Sequence, residues 1–121
     1  MASELKEEEL EPGRARELIA SEGGQVLDLR DDEEWVEVRI AGAVRGSGDD
    51  LDSALESLDS EHPVLVVCTD GGRSAEVAGD LRERGMQAAA LKGGMKGWTG
   101  DGLPTLPRET EEFHGPRRTN P

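Results

Sequence analysis

A chain of 121 residues and 13.0 kDa with 34% hydrophobic content has material for one compact domain with tails, and not for a large core. Its formal net charge of −13, from 27 acidic against 14 basic residues, argues against nucleic acid or an anionic membrane as a partner, because both demand a basic face. A single cysteine leaves no internal disulfide, His62 and His114 have no zinc-ligand spacing, and no apolar run approaches the roughly 18 residues that span a bilayer, so a soluble, cytoplasmic protein without metal or cofactor is expected.

Residues 1–10 are acidic with no sustained apolar face and read as a flexible leader. Pro12 stands at a plausible first helical position, and Ala15, Leu18 and Ile19 then stripe a helix that ends near Gly23-Gly24. Gln25 to Leu29 is the first good strand. The acids Asp31 to Glu34 open a short helix at its positive end, with Trp35 as its expected anchor to the core. Ile40 to Val44, short and apolar, suits a second buried strand, and Leu51, Leu55 and Leu58 with Ala54 have helical spacing. His62 falls in a breaker and reads as a turn residue.

Val64 to Val67, four consecutive apolar residues, read as a buried central strand, and a helix with Ala75, Val77, Ala78 and Leu81 on its apolar face follows from Ser74, the expected N-cap, to about Arg84. Gln87 to Leu91 makes a last strand, and Met95 and Trp98 place a short helix against the core. The domain is expected over 11–107, with a mobile or loosely docked tail over 108–121. Strands alternating with helices at these spacings indicate an α/β domain with a mainly parallel sheet flanked by helices on both faces. Ligands of such sheets sit outside the carboxyl ends of the strands.

The turn between the central strand and its helix is where chemistry is expected. It runs Cys68-Thr69-Asp70-Gly71-Gly72-Arg73-Ser74. Its backbone amides, the following helix dipole and the Arg73 guanidinium are three means of stabilising a thiolate, and the glycines permit close backbone approach. No histidine lies in the loop, which disfavours the Cys-His pairing of proteases and acyl transferases. A buried structural thiol remains the bland alternative.

This loop and its surroundings resemble the rhodanese-like, single-domain sulfurtransferase family from about Glu11 to Pro104. Val26-Leu27-Asp28-Leu29-Arg30 is similar to the family's first core strand with its Asp-x-Arg ending, and Glu33-Glu34-Trp35 to the turn after it. The stretch Cys68 to Ala75 resembles the catalytic loop and helix, and Leu91 to Trp98 with Gly102-Leu103-Pro104 the closing motif. The resemblance implies that Cys68 takes sulfane sulfur from thiosulfate or a low-molecular-weight persulfide and passes it to a thiol, cyanide or a protein acceptor. Arg73 and the loop, from Thr69, Asp70, Gly71 and Gly72 to Ser74, would hold the anion, and Asp28 and Arg30 would serve as structural support. Two departures stand out. Arg39-Ile40-Ala41-Gly42 replaces the family's His-Ile-Pro-Gly turn, and Asp70 sets a negative charge in the loop, which disfavours a dianionic donor. A phosphatase or arsenate reductase of related fold is the nearest other enzyme, but it needs a wider loop than the four residues between Cys68 and Arg73. A non-catalytic binding or sulfide-sensing module is the alternative from another class.

Overall fold

The computed structural model describes residues 5–46 and 51–107. Strands β1 (Glu9–Leu10), β2 (Gln25–Asp28), β3 (Val44–Arg45), β4 (Val64–Val67) and β5 (Ala88–Leu91) alternate with helices α1 (Pro12–Ser21), α2 (Asp32–Glu37), α3 (Leu51–Glu56), α4 (Gly72–Glu83) and α5 (Gly94–Gly100). The strands form one sheet in the order β1-β5-β4-β2-β3, and every pairing is parallel. The α/β class, the parallel sheet and its central strand are therefore as the sequence indicates.

Successive residues of a strand face opposite sides, so a strand covered on both faces is apolar throughout. β4 obeys this rule. Leu65 and Val67 join Val26, Ala89 and Leu91 under α1 and α5, where Ala15, Leu18, Met95 and Trp98 close one core. Val64 and Val66 join Leu27, Ala88 and Ala90 under α3 and α4, where Ala54, Val77, Ala78 and Leu81 close the other. The alanines of β5 are small enough for α4 to lie directly on the sheet.

Four expectations need correction. The end of the leader is not free: Glu9–Leu10 forms an edge strand on β5, and Leu10 is buried in the core. The strand expected over Ile40–Val44 shrinks to Val44–Arg45, because Ala41 and Gly42 turn the chain and Ile40 drops into the α1/α5 core. Trp35 is no core anchor. It is half-buried, with the guanidiniums of Arg39 and Arg45 at 5.3 and 5.2 Å from its ring centroid, so cations rather than apolar side chains hold it. Finally, α4 begins at Gly72 with Gly71 as its N-cap, and Ser74 lies inside the first turn. The expected tail over 108–121, residues 1–4 of the leader and residues 47–50 lie outside the described residues.

Candidate active site

β4 ends at the carboxyl edge of the sheet and delivers Cys68 directly onto the N-terminus of α4. Gly71 has φ +105°, a left-handed conformation that side chains resist, and a methyl there would press on the backbone of Gly93. The turn this permits aims two amides at the sulfur. Gly71 N donates to Cys68 Sγ at 3.0 Å and Ser74 N at 3.4 Å. These are the N-cap and third-position amides of α4, two of the donors that a helix start leaves unpaired. The sulfur thus occupies the place that a capping side chain takes at other helices, a place that the N-cap Gly71 has no side chain to fill.

The amide cradle is narrower than expected. Gly72 N turns aside to the Asp70 carboxylate at 3.2 Å, leaving Gly71 and Ser74 as the amides that meet the sulfur among the described residues. Ser74 is fully buried. Its Oγ accepts the Cys68 thiol hydrogen at 3.3 Å and its own hydroxyl donates to Gly71 O at 3.1 Å, which ties the loop to itself.

A second element holds the loop from behind. Met95 N donates to Cys68 O at 2.9 Å and Lys96 N to Thr69 O at 3.2 Å, so the first turn of α5 is capped by the carbonyls of the loop. Gly94, at φ +60°, makes this approach possible, since a methyl there would overlap Cys68 O and the Thr69 backbone. The Gly93-Gly94 pair is its sequence signal, although nothing local says what the glycines approach.

Asp28 and Arg30 form a buried bidentate pair with side chains 1% and 2% exposed. Arg30 Nε and Nη2 donate to the Asp28 carboxylate at 3.0 and 2.8 Å, and Nη2 also donates to Val38 O at 2.6 Å. The pair joins the end of β2 to the end of α2. α2 in turn carries Glu34, whose Oε1 accepts the Thr69 hydroxyl at 2.5 Å across 35 residues of sequence.

Cys68, 6% exposed, lies at the base of a cleft of about 430 Å³. The cleft is lined by Thr69, Asp70 and Arg73 of the loop and by Leu29, Arg30, Asp31 and Glu34 from the end of β2 through the first turn of α2. Arg73 is exposed and, among the described residues, makes no ion pair or hydrogen bond, so its guanidinium is available to a ligand. Glu34 and Asp31 enter this wall without any pattern in the sequence that marks them as site residues. Among the described residues no group of three or more metal-ligating side chains assembles.

The sequence matches the rhodanese-like domain over residues 11–101. The chain belongs to that family. Thiosulfate sulfurtransferase GlpE of Actinobacillus pleuropneumoniae serotype 3 is 34% identical over 97 residues, which is 79% of this chain and 90% of the relative. A rhodanese-related protein of Thermoplasma volcanium superposes with a TM-score of 0.75 at 24% identity, covering 84% of this chain and all of the other, 100%. A rhodanese-like domain protein of Staphylococcus aureus gives 0.66 at 29% identity over 76% of this chain and 91% of its own. The five-stranded parallel sheet and its flanking helices are thus the rhodanese-like fold.

Proposed function

We propose that this rhodanese-like protein is a sulfurtransferase that carries sulfane sulfur on Cys68. The thiolate attacks the outer sulfur of a donor, a sulfur–sulfur bond forms, and the donor leaves with its electron pair, as sulfite when the donor is thiosulfate. Cyanide or a thiolate then attacks the outer sulfur of the persulfide, takes it away, and leaves the Cys68 thiolate. Neither half needs a general base once the thiolate exists, in keeping with a loop that has no histidine.

The observation that carries this reading is the convergence of Gly71 N and Ser74 N on Sγ at the head of a helix of 12 residues. Amides that point at the sulfur, with the positive end of a helix dipole behind them, stabilise charge on it in both the thiolate and the persulfide. Arg73 adds a cation at the cleft mouth for an anionic donor or leaving group. Asp28 and Arg30 act as scaffold, Thr69 and Ser74 as loop ties. The names of the relatives and the match over residues 11–101 support the same reading. The working domain runs from β1 to about Pro107, and the lone cysteine suits a reducing cytoplasm.

Intact-mass measurement after incubation with thiosulfate, polysulfide or a low-molecular-weight persulfide tests the proposal. One added sulfur is expected on the protein and none on Cys68→Ser. With no second cysteine to resolve it, the persulfide should last until cyanide or a thiol is added. No added sulfur with any donor would reject the enzyme and leave a binding module.

A further inference from the structure

The part of the cleft lined by Asp31 and Glu34 at the start of α2 is acidic, and one carboxylate in it is held in place. Glu34 is in the first turn of α2, and its carboxylate accepts the hydroxyl of Thr69, the residue next to the proposed nucleophile. α2 cannot easily move this group away. Its N-cap Asp31 accepts from Glu34 N at 3.0 Å, Arg30 donates to Val38 O at its end, and Arg39 and Arg45 flank Trp35. Charge at the cleft is unbalanced as a result. Arg30 is already paired with Asp28, so among the described residues lining the cleft Arg73 is the one unpaired cation facing the carboxylates of Asp31, Glu34 and Asp70.

We propose that Glu34 is a specificity-determining residue of this cleft: fixed by Thr69 beside Cys68, it turns away dianionic sulfur donors such as thiosulfate and admits uncharged or cationic ones. The inference rests on Cys68 being the sulfur carrier, but it concerns the field that any reagent meets on its way to that thiol. A fixed carboxylate in a partly enclosed cleft repels an anion more strongly than a solvated surface acid does, because the surrounding dielectric is lower and salt penetrates less. Asp70 is exposed in the lining of the same cleft, with its carboxylate engaged by Gly72 N, and adds to the same field. Relatives such as GlpE of Actinobacillus pleuropneumoniae are named for thiosulfate, and a preference for less anionic donors would set this chain apart from them.

Two methanethiosulfonate reagents read the field without requiring sulfur transfer. One bears a sulfonate and the other a trimethylammonium, and each reacts when the thiolate attacks its sulfenyl sulfur, forming a mixed disulfide and releasing methanesulfinate. The measured quantity is the ratio of cationic to anionic second-order rates at Cys68, divided by the same ratio for a small free thiol. In the wild-type protein this corrected ratio should exceed one. Glu34→Gln keeps an oxygen for the Thr69 hydroxyl and removes the charge, and should lower the ratio by at least about fivefold. Glu33→Gln makes the same charge change on the same helix outside the cleft, and should lower it by less than about twofold. A wild-type ratio at or below one, or equal effects of the two variants, would overturn the proposal. Because both reagents need only a reactive thiol, this failure is distinct from an absence of persulfide in the mass experiment.

Discussion

At the scale of single residues, the sulfur of Cys68 does two jobs. It accepts from the Gly71 and Ser74 amides, which starts α4, and in the proposed function it is the group that the same amides prepare for reaction. Replacing it by serine preserves an acceptor, which is why Cys68→Ser is a fair test of chemistry with the helix start retained. Arg73 plays a different part. It stands exposed on the cleft with no partner among the described residues, so its removal costs the fold little. Arg73→Ala should slow sulfur uptake from thiosulfate about tenfold, the scale of one charge-assisted hydrogen bond, and slow uptake from an uncharged persulfide much less. Cyanide-trapped turnover with the two donors measures this. Equal losses would mean that Arg73 shapes the loop and does not meet the anion.

At the scale of elements, the loop is clamped between α4, α5 and α2, and each clamp has a residue that can be removed. Gly94→Ala forces a side chain into a left-handed position and against the Cys68 carbonyl. It should lower stability by at least about 2 kcal/mol and slow alkylation of Cys68, since α5 must back away from the loop. Urea unfolding with iodoacetamide kinetics on the same samples would show both effects. The Asp28–Arg30 pair is the clamp on α2, with Arg30 reaching Val38 O and Asp28 taking Arg30 N at 2.9 Å. Arg30→Ala strands a buried carboxylate and should cost about 3–5 kcal/mol, visible as a lower urea midpoint at unchanged slope. The turn at Arg39-Ile40-Ala41-Gly42 is anchored at its first residue. Arg39 exchanges both backbone hydrogen bonds with Leu106, at 2.9 and 2.7 Å, and stacks on Trp35.

For the whole molecule, the net charge of −13 and the acidic cleft wall act on the same incoming anion. Raising ionic strength from about 0.01 M to 1 M shortens the Debye length from roughly 30 Å to 3 Å, which removes the distant carboxylates from the field and leaves those beside Cys68. The second-order rate with thiosulfate should therefore rise with salt, and the rate with an uncharged donor should change much less. Asp70→Ser should still accelerate the thiosulfate reaction at about 1 M salt. Stopped-flow rates for the two proteins and two donors decide this. A thiosulfate rate that falls with salt would mean a positive local field at the loop.

The alternation of strand and helix, the buried central strand and the thiol at its carboxyl end were all legible in the chain, because each is written in short-range pattern. Four apolar residues before Cys68 need two covered faces, and the glycines after it need a tight turn. The edge strand at Glu9–Leu10 was not legible, since two residues carry no period and gain their order only from pairing with β5. Neither was the place of Trp35, which depends on Arg39 and Arg45 reaching it from outside α2. At the site, the residue types pointed to an amide-held thiolate, but only the folded chain decides which amides win. Gly72 N goes to Asp70, and the sulfur itself caps the helix. Glu34 meets Thr69, and α5 meets the loop, through contacts between separate elements that lie far apart in the sequence. Such contacts leave no mark in local sequence, because they follow from where the parallel sheet sets the ends of its strands and helices.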